Sequence, residues 1–143
     1  MSTRKLILTA LVCGLAILLA GGIKLFQVAN DNKQVEVLSL GDAATLGDMT
    51  VSVIAIDATA DATSVTVTMT GVDLADGASS GWRMLADGRV SQPVAAQSNE
   101  AGQTCDSVSA SKVTRCVVLF AAADSAPTIA YIRAGEQRQW AGD

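Results

Sequence analysis

Apolar and polar residues follow two regimes along this chain. From Leu6 to Ile23 an uncharged run, LILTALVCGLAILLAGGI, lies between Arg4 and Lys5 on one side and Lys24 on the other. After residue 30 no segment keeps a 3.6-residue period, whereas several alternate with a period of two, the mark of half-buried strands. In MTVSVIAID, Met49, Val51 and Val53 alternate with Thr50 and Ser52; in TSVTVTMT, Val65, Val67 and Met69 alternate with Thr66 and Thr68. Val35-Glu36-Val37 starts the series, and TIAYIR, Thr128 to Arg133, is a late member. The tract from Val113 to Phe120 is apolar on both faces, which predicts a central strand. GWRML and RVSQPV flank Ala86-Asp87-Gly88, where Asp-Gly supplies residues that tolerate positive φ in a tight hairpin. Pro93 cannot donate to a ladder and sends the second of these strands to an edge or a bulge. Seven or so short strands punctuated by Gly, Asp and Ser predict an all-β fold, an antiparallel two-sheet sandwich.

At about 1.5 Å per helical residue the uncharged run spans roughly 27 Å, close to the hydrocarbon thickness of a bilayer. Arg4 and Lys5 hold the short N-terminal side in the cytoplasm by the positive-inside bias. This predicts a single-pass signal anchor over residues 1–26, a polar tether over 27–34 (QVANDNKQ) and an extracytoplasmic domain over 35–143. The competing reading is a cleaved signal peptide, for which Ala20-Gly21-Gly22 would serve as the site. A usual signal core has only about 7–15 apolar residues, so a run that continues through Ile23 favours a retained anchor. Cys13 makes no lipobox, because Ala10-Leu11-Val12 precedes it. On a wheel at about 100° per residue Ala10, Gly14 and Gly21 share one face, a smooth stripe suited to close packing of another membrane helix.

Charge then narrows the partners. Residues 31–143 hold all 14 acidic side chains and lack only Arg4, Lys5 and Lys24 of the 10 basic ones, a net charge of −7. Such a surface repels phosphates, which argues against nucleic acid and against a polybasic grip on anionic lipid. The chain has no histidine, which removes Ser-His-Asp and Cys-His catalysis and His-ligated zinc together. Aromatic residues are only 3%, so the core is expected to consist mainly of Val, Ile, Leu, Met and Ala.

Cys105 and Cys116 are the strongest chemical feature of the exported part. An oxidising compartment and an even pair of thiols predict a disulfide, worth about 3 kcal/mol for a loop of this size in the chain-entropy model. The alternative is Cys116 as a small core hydrophobe and Cys105 as a free loop thiol. Their spacing is neither CxxC nor a metal-ligand pattern. Gly77-Ala78-Ser79-Ser80-Gly81 matches G-x-S-x-G in form, but lacks a histidine and a βαβ context. Ser109-Ala110-Ser111-Lys112 matches S-x-x-K, which needs a helix where a strand follows. Both read as loops. Asp57, Asp61, Asp73 and Asp76 lie near strand ends, where convergence on Ca²⁺ is conceivable, but EF-hand spacing is absent and solvated turn residues are the expectation. Trp82 alternates with Met84 and belongs to the core. Trp140, close behind Arg138, stands open between last-strand packing and contact with a partner.

The stretch from Gly41 to Gly47, the alternating strand pair, Trp82-x-Met84-Leu85-x-Asp87-Gly88, Cys116-Val117-Val118-Leu119-Phe120 and Pro127-x-Ile129-x-Tyr131 together resemble an immunoglobulin-like domain of unknown function found in bacterial envelope lipoproteins and secreted proteins. The resemblance extends over about residues 35 to 140. It implies an immunoglobulin-like sandwich outside the membrane, without an assigned catalytic activity. The lipobox of such lipoproteins is absent here, and the polar insertion before the late strands is short.

The function expected from the chain is therefore a non-catalytic, membrane-anchored envelope protein of a GC-rich bacterium. Its exported sandwich binds or braces another membrane or envelope protein, as an accessory subunit of a larger complex. No cofactor and no metal are expected. The alternative is a secreted or anchored module for a small ligand or metal. A deep apolar pocket or converging carboxylates would favour that alternative, and a filled core with an exposed apolar patch the scaffold.

Overall fold

The computed structural model describes residues 2–30, 35–75, 77–95 and 102–142. The chain divides into two units, Met1–Gln34 and Val35–Asp143. The first is a single helix, α1, Thr3–Asn30, whose described side chains are all exposed within the unit. Its segment Thr3–Ala29 is long and apolar enough to cross a membrane. The helix passes through Gly21-Gly22 without a break and takes in residues 27–30, which were expected in the tether. Gln27-Val28-Ala29-Asn30 contains neither Gly nor Pro, and extending a formed helix fixes one residue per new hydrogen bond. The rest of that tether, 31–34, lies outside the described residues.

The second unit is built from nine strands among the described residues: β1 Val37–Leu38, β2 Ala43–Leu46, β3 Met49–Ala58, β4 Ala62–Thr70, β5 Trp82–Ala86, β6 Arg89–Ser91, β7 Thr114–Ala121, β8 Thr128–Arg133 and β9 Glu136–Ala141. They form a five-stranded sheet in the order β1-β9-β8-β5-β6 and a four-stranded sheet in the order β2-β3-β4-β7, arranged as a sandwich. β4 alternates without a fault, burying Thr63, Val65, Val67 and Met69. β3 alternates as far as Val53, then a bulge leaves Ile54 unpaired and returns Ile56 to the position opposite Val65. The run Val53-Ile54-Ala55-Ile56 is thereby accommodated with its isoleucine still directed at the core. The Asp87-Gly88 hairpin joins β5 to β6 with φ of 54° and 70°, and β6 lies at a sheet edge, as Pro93 requires.

Four features depart from the sequence expectation. The sandwich is mixed rather than wholly antiparallel, because β1 runs parallel to β9 with Val37 opposite Gln139 and Leu38 opposite Trp140. These strands lie at opposite ends of the domain, so no tight turn obliges them to run antiparallel. The first strand is Val37–Leu38, and Val35 and Glu36 precede it exposed. β7 is not central: its ladder has one neighbour, β4, and its other edge is covered by loop. That cover explains the apolar character of both faces. Finally, β9 pairs with β8 through a turn at Ala134-Gly135, with φ of 52° and 76°. Alanine carries no signal for a positive-φ turn, so the hairpin is not legible in the sequence.

The core is asymmetric. The five-stranded sheet contributes Trp82, Tyr131 and Trp140, whose rings meet in tilted pairs at centroid distances of 4.7 Å for Trp82–Tyr131 and 5.9 Å for Trp82–Trp140. The four-stranded sheet answers with Leu46, Met49, Val51, Val53, Val65, Val67, Met69, Val118 and Phe120. So few aromatic residues still dominate one half of the interior, since each indole or phenol ring buries about 150–250 Å².

Candidate functional site

The serine motifs have packing and loop roles. Ala78–Gly81 forms a 3₁₀ turn with Ala78 buried, and a Cβ at Gly81 would lie 2.7 Å from Cε2 of Tyr131. The glycine is what allows the turn to close on that ring. Ser109 and Ser111 face each other at 3.1 Å between hydroxyls in a non-helical loop, with Lys112 exposed. The carboxylates do not converge. Asp57 and Asp61 flank the β3–β4 turn, while Asp73 lies beyond the other end of β4, about 30 Å away at strand rise. Asp73 accepts a hydrogen bond from the Ala110 amide at 2.9 Å. Asp76 lies outside the described residues. Among the described residues no group of three or more Cys, Asp or Glu side chains is placed to hold a metal ion.

Cys105 and Cys116 are joined in a disulfide, with both residues about 2% exposed. Beside the bridge, an open cleft of about 370 Å³ is lined by Ser79, Pro93, Val94, Thr104, Asp106 and Leu119. At one end of the sandwich the two sheets are tied by charge. Arg133, closing β8, donates to Asp48 in the β2–β3 turn at 2.5 Å, and Glu136 accepts from the Gly47 amide at 3.2 Å. The Arg133 hydrogen bond holds the Asp48 carboxyl below its ordinary value and raises the guanidinium in turn. In the β5–β6 turn, hydrogen bonds from Ser125 and then from the Asp124 amide lower Asp87.

Trp140, left open by the sequence, is fully buried, and its indole N–H donates to the Asp42 carbonyl at 2.9 Å. β9 turns this side chain inward opposite Ile129, the last-strand packing that was one of its two alternatives. Arg138, on the same side of β9, is half-buried and donates to the Gln137 carbonyl at 3.0 Å. Ala10, Gly14 and Gly21 lie exposed on α1, and nothing in that unit stands within 4 Å of a Cβ built at either glycine.

The outer faces of the two sheets are what remains as candidate recognition surface. On the four-stranded sheet Thr45, Thr50, Thr66, Thr68 and Thr70 point outward, and Thr45 and Thr50 share a hydrogen bond at 2.9 Å across β2 and β3. On the five-stranded sheet the registers bring Val90, Leu85, Thr128 and Ala141 into one cross-strand row and Arg83, Ala130, Gln139 and Val37 into the next, with Ile132 beside Gln137 beyond. No carboxylate stands at any of these positions, although the domain is acidic. Val37, Val90 and Ile132 are 57%, 66% and 43% exposed. Sequence reasoning missed this face. Its one available signal was TIAYIR, where Ile132 falls out of phase with the buried Ile129 and Tyr131.

No known protein family and no curated protein matches the chain in sequence. Among solved structures, the yjhA protein from Bacillus subtilis superposes with a TM-score of 0.53 at 15% identity, over 73% of this chain and 98% of that one. MPT63, a secreted protein from Mycobacterium tuberculosis, superposes with a TM-score of 0.56 at 12% identity, over 76% of this chain and 99% of that one. The chain thus carries a small β-sandwich of a fold shared with these bacterial proteins, behind an N-terminal apolar helix.

Proposed function

We propose that the protein is a non-catalytic, single-pass envelope protein of a bacterium. In this reading α1 stays in the cytoplasmic membrane with its N-terminus inside, and an immunoglobulin-like sandwich outside binds or braces another membrane protein as an accessory subunit. The observation that carries it is the outer face of the five-stranded sheet: three exposed branched apolar side chains, amides and one arginine, with no carboxylate, on an otherwise acidic domain. A filled core and dispersed acidic side chains favour a scaffold over a small-ligand module. The likeness to a secreted protein and the disulfide both suit an extracytoplasmic site. Within the bilayer, the stripe of Ala10, Gly14 and Gly21 is the side of α1 that suits a partner helix.

The test places a photo-cross-linking amino acid at Ile132, Val90 or Thr68 of the full-length, tagged protein in native envelopes. Discrete adducts to one membrane protein from Ile132 and Val90, and none from Thr68, are expected. Equal labelling from the two faces, or none from either, would sink the reading. Gly14→Leu is expected to weaken co-purification of the same partner while leaving the protein in the membrane.

A further inference from the structure

The second feature of the domain without an assigned role is the edge of β7. Along this strand the backbone groups of alternate residues turn toward β4, and those of Arg115, Val117, Leu119 and Ala121 turn away. The outward groups are taken up by the β6–β7 connection. The Val94 amide donates to the Leu119 carbonyl at 2.8 Å, and the Val117 amide donates to the Gln103 carbonyl at 2.8 Å. Thr104 pairs in parallel with Val117, and the next residue, Cys105, is bonded to Cys116. Further along, Leu74 and Val108 exchange two backbone hydrogen bonds at 2.9 Å.

Residues 102–112 thus form a strap along the sheet edge, yet their own sequence is poorly suited to hold it there. They are mostly Gly, Ser, Gln, Asp and Lys, and bury only Cys105 and Val108, too little apolar surface to offset the entropy of ordering the segment. The covalent bond does what packing does not. The other edges are shorter: β6 is three residues long and begins with Arg89, β1 has two residues and β2 has four. β7 has eight, with Arg115 as its single charge.

We infer that the Cys105–Cys116 strap is a cover for a strand-pairing surface, and that reduction of the disulfide frees the strap and, with exchange of the single Val94–Leu119 hydrogen bond, opens β7 to β7 of a second copy of this chain. The pairing is self-complementary. With the two-fold axis at Val118, Val117 faces Leu119 of the second copy, Leu119 faces Val117 of the second copy, and each Arg115 faces an alanine. Apolar meets apolar, and like charges stay apart. The reductant is a dithiol: the bond between the two cysteine sulfurs breaks, each sulfur gains one electron and one proton, and the dithiol closes to its own disulfide. Because both cysteines are buried, the strap must lift before a reductant reaches them.

The test uses the full-length Cys13→Ser protein in detergent micelles, so that the exposed helix thiol forms no dimer of its own. The oxidised form is compared with protein reduced by dithiothreitol and alkylated, and with the Cys105→Ser/Cys116→Ser variant. Light scattering reads protein mass, and the near-ultraviolet dichroism of the buried Trp82 and Trp140 reads the fold. Expected are an unchanged tryptophan signal, a doubled mass relative to the oxidised form, and return to the oxidised mass when Leu119→Lys is added. A folded protein whose mass is unchanged on opening would overturn the inference. So would a dimer that survives Leu119→Lys, which would lie on another surface. Loss of the tryptophan signal on opening would also overturn it, since the strap would then be part of the folding unit rather than its cover.

Discussion

The two sheets of the sandwich apply the same alternation to different materials. Apart from the buried Thr63 and Ser52, β3 and β4 turn valines and methionines inward and threonines outward, so hydroxyls line the outside of the four-stranded sheet. β5, β8 and β9 turn Trp82, Tyr131 and Trp140 inward, and with β6 they leave Leu85 half-buried and Val90 and Ile132 exposed on the outside, around a buried Ala130. A strand that is solvated on one side needs only one apolar row; a strand with two apolar rows has something to cover on both sides. In β7 the second row lies half-buried beside the strap, whereas on the five-stranded sheet Val90 and Ile132 stand exposed within the unit. That difference separates a face finished by its own fold from one left exposed, the face proposed above to receive a partner.

The comparison is broken most severely from inside. Trp140→Ala is expected to lower the unfolding free energy by about 3–5 kcal/mol, against about 2 kcal/mol for Val67→Ala, as read by denaturant titration. If the valine cost as much as the tryptophan, the aromatic half of the core would not be the one that stabilises the domain. On the outside, Ile132→Asp is expected to weaken partner capture about tenfold while shifting stability by less than about 1 kcal/mol. Thr68→Asp, on the opposite face, should leave capture unchanged in the same assay.

The link between the sheets gives a smaller, pH-dependent effect. Asp48 is held below its ordinary value in the folded state, so its contribution is full above the unfolded value of 3.8 and is lost as pH falls through the lower folded value. Thermal melts between neutral pH and the acid limb should show this loss in the native protein and a shallower acid limb in Asp48→Asn. An unaltered acid limb would mean that the Arg133 pair does not couple the sheets. The smallest effect is expected at the β8–β9 turn. Ala134 sits at a φ of 52°, where Ala134→Gly relieves the Cβ but frees the unfolded chain, a net gain of less than about 1 kcal/mol in melting experiments.

The sequence by itself determined the features that depend on neighbours along the chain. The apolar run became one helix, and β3, β4, β5, β6 and β8 lie where period-two alternation and the Asp-Gly turn put them. Cys105 and Cys116 were legible as a pair because no other cysteine lies outside the helix. Only the tertiary structure decided what each strand meets. Alternation marks which side chains share a face, but a backbone edge carries no label for its neighbour, so β7 read as central although a loop rather than a strand closes it. The parallel union of β1 with β9 joins the two ends of the domain, beyond any local signal. Trp140 faced two open choices until β9 was paired with β8, since the direction of a side chain in a strand is set by register. The candidate recognition face was invisible for the same reason: Val37, Val90 and Ile132 are scattered in sequence, and they come onto one face only when β9 and β5 bridge their strands into a single sheet, with β8 about 10 Å from each of β1 and β6.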